Sequence, residues 1–183
     1  MQDEEYMRQL SSGIDSAFDV LVFRYHKPLF GYVYRLLHDE KLAEDIVQDT
    51  FLKIYQQGQK GFVPEQFKPW MYKIATNLCK DHWRKPASRR EFITDKDMMK
   101  KDRVSHIIDH QLERQWMVES LNQLSLDYRT VLYLRFYQDL QYSEIALALD
   151  IPINTVKTRI ARGLKQLEKI LIADKRKGVG RNE

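Results

Sequence analysis

The chain has 183 residues, 43% of them hydrophobic, and a net charge of +4; that length accommodates one or two small domains. It contains no apolar run of the roughly 18 residues needed to span a membrane. Cys79 is its single cysteine, which excludes an internal disulfide and a thiolate zinc cluster.

The N-terminus, Met1-Gln2-Asp3-Glu4-Glu5, is acidic and lacks the basic-then-apolar order of a secretory leader, so a cytoplasmic protein without membrane insertion is expected. Phe18, Leu21, Val22 and Tyr25 share one face of a helix over about 16–26. Pro28 suits the first turn of a following helix, in which Leu29, Tyr32, Val33 and Leu36 continue the apolar stripe. Asp39 is placed to cap a third helix carrying Leu42, Ile46, Val47, Phe51 and Ile54. Gly58-Gln59-Lys60-Gly61 ends it, a loop runs through Pro64, and Pro69 opens a helix that reaches about residue 84. In that helix the spacing predicts Trp70, Ile74, Ala75 and Leu78 inside, and Lys73, Thr76, Asn77, Lys80, Asp81 and Arg84 outside.

Pro86-Ala87-Ser88-Arg89-Arg90 breaks the pattern, and the chain to about 104 is charged with little apolar periodicity, the composition of a linker. Helical spacing resumes with Ile107, Leu112, Trp116, Leu121 and Leu124. Ser125 then caps a helix bearing Val131, Leu132 and Phe136. The fold class is therefore all-α, with no internal repeat: two small helical domains, 1–85 and 108–173, joined by a flexible polar linker, 86–107, with a basic tail at 174–183.

The C-terminal domain carries the most specific local pattern. A short helix with Ser143 as its cap contains Ile145, Ala146 and Leu149. A turn at Asp150-Ile151-Pro152 follows, and then a longer helix with Val156, Ile160, Leu164, Leu167 and Leu171 on its apolar side. This is the pattern of a helix-turn-helix, whose second helix enters the DNA major groove. At about 100° per residue, Asn154, Thr158, Ala161, Arg162 and Lys165 lie opposite the apolar side, with Lys157 and Arg159 on its flanks. A solvated basic face on an ordinary amphipathic helix gives the same periodicity. The turn, the small residue at the helix crossing and the one-sided charge favour DNA binding. The excess positive charge falls in 84–103 and 157–181, which fits a phosphate-binding surface at one end of an otherwise balanced chain.

Ala43-Glu44-Asp45-Ile46-Val47-Gln48-Asp49-Thr50-Phe51 and Phe67-Lys68-Pro69-Trp70-Met71-Tyr72-Lys73-Ile74-Ala75-Thr76-Asn77 resemble two adjoining conserved patterns of bacterial sigma factors. With Asp127-Tyr128-Arg129-Thr130-Val131 and Thr155-Val156-Lys157-Thr158-Arg159 in the right order, the chain resembles an extracytoplasmic-function sigma factor over about 10–172. The resemblance implies a dissociable subunit, not an enzyme and without a cofactor, that directs core RNA polymerase to promoters and promotes melting. It assigns polymerase clamp-helix docking to Asp45, Gln48, Asp49 and Phe51. Contact with the −10 element falls to Lys73, Thr76, Asn77, Lys80 and Arg84, with the loop 58–66 helping to form a pocket for an unstacked base. The −35 element falls to Asn154, Thr155, Lys157, Thr158, Arg159, Arg162 and Lys165, and the domain bearing them is expected against the polymerase flap. An anti-sigma partner is a further implication.

Two stretches depart from the family's common pattern. The loop reads Gly61-Phe62-Val63-Pro64-Glu65 rather than a more polar run, and Pro152-Ile153-Asn154 stands where a serine cap and a glycine are frequent. Two other functions fit parts of the sequence. One is an autonomous helix-turn-helix regulator binding a palindrome as a dimer. The other is a metal-dependent hydrolase or nuclease using His106 and His110, which lack an accompanying carboxylate or cysteine constellation.

Overall fold

A computed structural model of the chain describes residues 2–84 and 117–179, with side chains described as far as 173. The described residues form helices α1 (Asp3–Ser11), α2 (Ser16–Leu37), α3 (Glu40–Gln59), α4 (Phe67–Arg84), α5 (Leu126–Phe136), α6 (Tyr142–Leu149) and α7 (Ile153–Val179). A helical segment at 117–122 precedes α5. The first four helices form the N-terminal domain and the remainder the C-terminal domain. The sequence-predicted linker, 86–107, falls wholly outside the described residues.

In the N-terminal domain α2 and α3 pack against each other, and α1 and α4 each pack against both. Asp39 caps α3 as expected, its carboxylate accepting from the Leu42 amide at 2.9 Å. Pro28, by contrast, opens no new helix: α2 runs unbroken through it. Proline costs an internal helix one hydrogen bond and a steric conflict. Here Pro28 faces solvent, while Leu21, Tyr25, Leu29, Tyr32, Val33 and Leu36 are all buried on the other side. Continuous packing on that side holds the helix together.

Helix α1 is absent from the periodicity reading, yet it closes the domain. Met7 and Leu10 are completely buried, and burying two such side chains contributes roughly 3–6 kcal/mol, enough to order a short helix. Gly58 makes room for them. It lies in the last turn of α3, which ends at Gln59 within the stretch expected to end it, and a Cβ there would come within 2.4 Å of Leu10 Cδ2. Three polar contacts complete the docking. Asp3 accepts from Arg24 and from the Tyr25 hydroxyl, and Glu4 Oε1 accepts from the Phe67 amide at 2.7 Å. Glu4 thereby satisfies one of the orphan donors at the start of α4.

The C-terminal domain packs α5 and α6 against α7. Val131, Leu132, Tyr133 and Leu134 of α5 meet Ile145, Ala148 and Leu149 of α6 and Val156, Ile160 and Leu167 of α7. Gly163 is the crossing point of α7 with α5: a Cβ there would lie 3.2 Å from Tyr128 Cβ and 3.3 Å from Leu132 Cδ1. Leu164, expected on the apolar side, is instead 42% exposed. The wide surface of α5 draws in Gly163 and Ile160, and this rotates Leu164 outward.

Candidate nucleic-acid interface

Helices α6 and α7 form the helix-turn-helix. The N-terminal cap of α6 is Gln141, two residues before the expected Ser143, and the Glu144 carboxylate reaches back to accept from the Gln141 amide at 2.6 Å. Asp150 adopts the left-handed conformation (φ 56°) that ends α6, and its short polar side chain tolerates that region better than a bulky one would. Pro152 follows, and α7 begins at Ile153, so the departure at Pro152-Ile153-Asn154 is compatible with a tight turn.

Five predicted DNA-reading residues, Asn154, Thr155, Thr158, Arg159 and Arg162, line one open groove, whose far wall is Ser125, Asp127 and Tyr128 of the α5 N-terminus. Lys157 is exposed beside it, and Lys165 lines a neighbouring depression with Arg162 and Lys169. Arg159 is already engaged: its guanidinium donates to Asp127 Oδ2 at 2.8 Å. The Thr158 hydroxyl donates to the Asn154 carbonyl at 2.8 Å. Helical spacing on α7 alone could not reveal the contribution of α5, because that wall is brought in by the tertiary crossing at Gly163.

On α4 the exposed stripe is narrower than expected. Asn77 and Arg84 are exposed, and Lys73 and Lys80 are half-exposed. Thr76 is not on this surface. It is 1% exposed, and its hydroxyl shares a 2.7 Å hydrogen bond with the buried Tyr32 hydroxyl. The buried side of α4 is Met71, Tyr72, Ala75, Thr76 and Cys79, whereas Trp70, Ile74 and Leu78 are only partly covered. Burial pushes the Cys79 thiol up to about 12, so this cysteine stays protonated and chemically quiet.

The loop before α4 builds a second groove. Phe62, Pro64, Glu65 and Gln66 line it with Pro69, Trp70 and Lys73 of α4. The Phe62 and Trp70 rings stand 5.3 Å apart, and Phe67 and Trp70 are 6.2 Å apart. The loop expected to help form a base pocket thus lines an aromatic-walled groove that also carries the Lys73 ammonium and the Glu65 carboxylate; flat rings stack on such walls. Trp70 lines it rather than disappearing into the core.

Asp45, Gln48 and Asp49 lie side by side on the exposed face of α3. Phe51 does not join them. It is 6% exposed, stacks with His26 at 6.3 Å and meets Phe18 edge-on at 6.2 Å, so it is a core residue. The exposed apolar residue on that side is Leu52, at 53%. His106 and His110 lie outside the described residues. Among the described residues no group of three His, Cys, Asp or Glu side chains is arranged to hold a metal, and no helix is long and apolar enough to cross a membrane.

Comparison with known proteins resolves what these surfaces belong to. The Sigma-70 region 2 family model matches residues 21–90, and the Sigma-70 region 4 model matches residues 114–167. The chain is 31% identical to the ECF RNA polymerase sigma factor SigW of Bacillus subtilis, over 93% of this chain and 97% of that one. It belongs to the extracytoplasmic-function sigma factors.

Solved sigma-factor structures share the architecture. CnrH, determined in complex with the cytosolic domain of CnrY, superposes with a TM-score of 0.71 at 26% identity, covering 94% of this chain and 98% of that one. RpoE of Bartonella quintana, determined with the anti-sigma factor NepR, gives 0.66 at 25% identity over 86% and 98%. As a sigma factor the protein directs promoter-specific transcription initiation, working with core RNA polymerase on promoter DNA. The N-terminal domain carries region 2, and the C-terminal domain is the region 4 helix-turn-helix.

Proposed function

We propose that the sigma factor grips a promoter at two points and the polymerase at a third, through the residues now located. Asp45, Gln48 and Asp49 dock on basic groups of the polymerase clamp helices, where an acidic, amide-rich face gives charge complementarity. Asn77 reads an exposed base edge of the −10 element, since its amide both donates and accepts, with Lys73, Lys80 and Arg84 neutralising the strand. The Phe62–Trp70 groove accepts a base freed by melting. Binding an unstacked base favours the open duplex, so melting proceeds as a population shift and not by covalent chemistry. Arg159 and Arg162 read −35 bases, with Asn154, Thr155 and Thr158 shaping the fit. Lys157 and Lys165 hold phosphates and set the register.

The gathering of Asn154, Thr155, Thr158, Arg159 and Arg162 on one concave surface is the observation that carries this reading. The protein does this work in the cytoplasm, without enzymatic activity of its own, and an anti-sigma factor restrains it, as NepR accompanies the Bartonella relative. Run-off transcription with core polymerase on genomic promoter fragments tests the reading. Added protein is expected to produce specific start sites. No specific start, together with tight polymerase-free duplex binding, would instead mark an autonomous regulator.

A further inference from the structure

The two domains do not stand apart; their buried side chains form one continuous core. The contact falls on the first half of α4, at Lys68, Tyr72 and Lys73, beside the Phe62–Trp70 groove, and Gln138, in the turn between α5 and α6, is at its centre. Gln138 is 7% exposed. Its main-chain carbonyl accepts from Lys68 Nζ at 2.6 Å, its side-chain oxygen accepts from the Tyr72 hydroxyl, and its side-chain amide donates to the Pro28 carbonyl at 3.4 Å. One residue of the C-terminal domain thus holds both α2 and α4. Beside it Lys73 pairs with Asp150 of the helix-turn-helix at 3.4 Å, and Leu147 of α6 lines the Phe62–Trp70 groove.

Leu147 is the informative residue. Ile145, Ala148 and Leu149 supply the buried side of α6, so the core of its own domain does not need Leu147. Its partners are the apolar walls of a groove in the other domain. Lys73 is likewise neutralised by a carboxylate that belongs to the second DNA-reading module. We propose that this packing is an autoinhibited closed form, latched by Gln138, in which α6 of the helix-turn-helix covers the −10-reading groove, so that promoter engagement requires the domains to part. The contacts suit a reversible device. On opening, each hydrogen bond exchanges for one to water, so each favours closure by only about 2- to 10-fold, and the largely exposed Lys73–Asp150 pair adds less. A ligand that binds only the open form can overcome such a bias. The occlusion rests on the base-binding assignment of the groove, whereas the closure itself does not.

The test uses the full chain with fluorophores at Lys53→Cys and Lys169→Cys, both exposed positions; the native Cys79 is buried and escapes labelling. The parent is expected to show one high-transfer population. Gln138→Ala, and independently Leu147→Lys, should shift it about 10-fold or more towards a low-transfer population, with unchanged helical content. Leu147 is 51% exposed, so its replacement spares the folding of its domain. The same variants should retain a randomised pool of single-stranded DNA 12-mers about 10-fold better than the parent. Adding Phe62→Ala, which removes a wall of the groove that Leu147 reaches, should remove that gain. Identical transfer distributions for parent and variants would overturn the closed form. Opening without a gain in DNA retention would overturn occlusion. A gain that survives Phe62→Ala would instead refute the base-binding assignment of the groove while leaving the closure standing.

Discussion

Gly58 offers a sharp test of how α1 completes the N-terminal domain, because the sign of one substitution depends on its partner. In isolation, Gly58→Ala should stabilise α3 by at most about 1 kcal/mol, the helix-propensity difference between the two residues. In place, the new Cβ would lie 2.4 Å from Leu10 Cδ2, 2.9 Å from Leu10 Cγ and 3.5 Å from Met7 Cε. Leu10 and Met7 are fully buried, so neither can swing into solvent, and overpacking of this kind costs about 1–3 kcal/mol. The net expectation is a loss of about 1 kcal/mol, or roughly 2–4 °C in thermal midpoint for a chain of this size. Leu10→Ala alone should cost about 2–5 kcal/mol. It also removes both atoms nearest the new methyl group, so Gly58→Ala in that background should become stabilising. Thermal and urea unfolding of the four proteins gives the coupling, expected at about 2 kcal/mol and within the range for residues in contact. A coupling near zero, with Gly58→Ala stabilising both backgrounds equally, would refute the docking of α1 across Gly58.

Asn77→Ala should reduce initiation about 5- to 150-fold, the equivalent of one specific base contact, while affinity for core polymerase stays unchanged; a loss of polymerase affinity would contradict the assignment. Arg162→Ala should weaken −35-dependent run-off by a similar factor, and an unaltered promoter preference would count against its contact. Asp127→Asn should free Arg159 from its 2.8 Å ion pair and tighten −35 duplex binding several-fold, with a steeper salt dependence; weaker binding would mean that Asp127 orients Arg159 productively. Burial pushes the His38 imidazole below its ordinary value of 6.5, the nearby Arg129 pushes in the same direction, and the 2.7 Å bond to Asn122 opposes both. Its neutral form is the one the folded chain prefers. That contribution is complete above about pH 6.5 and is lost as pH falls through the depressed folded value. Unfolding midpoints measured from pH 8 to pH 5 should therefore fall more steeply for the parent than for His38→Asn, and parallel curves would exclude the linkage.

Much of the architecture was legible because helical periodicity is a local property. Asp39, the α3 stripe, the turn at Asp150-Ile151-Pro152 and, Leu164 apart, the sidedness of α7 depend on residues a few positions apart, and are found where the spacing puts them. The errors share one cause. Helix α4 touches α1, α2, α3 and α6, so it is enclosed over most of its circumference, and a single-stripe wheel cannot say which polar residue is enclosed with it. Thr76 is that residue because Tyr32 supplies a partner for its hydroxyl. Phe51 was ambiguous for a related reason: an aromatic residue next to an acidic face serves an interface or a core equally well until Phe18 and His26 close over it. Pro28 was read as opening a new helix, which is its usual meaning, and packing along the buried face of α2 overrode it. The end of α3 within Gly58-Gln59-Lys60-Gly61 was legible, but the approach of Leu10 to Gly58, from a helix distant in sequence, was not.

The sequence by itself determined most of the helices, though neither α1 nor the continuity of α2 through Pro28, together with the helix-turn-helix and, through two motifs in order, membership of the sigma-factor family; each is carried by residue types at short, regular spacing. Only the tertiary structure decided which of those residues remain available. It buried Thr76 and Phe51, added Asp127 and Tyr128 to the α7 groove, and laid α6 against the first half of α4. Those outcomes depend on contacts such as Gln138 with Tyr72 and Pro28, between residues that no local period relates. Their net energies are small differences between protein and water contacts, set by how whole helices meet.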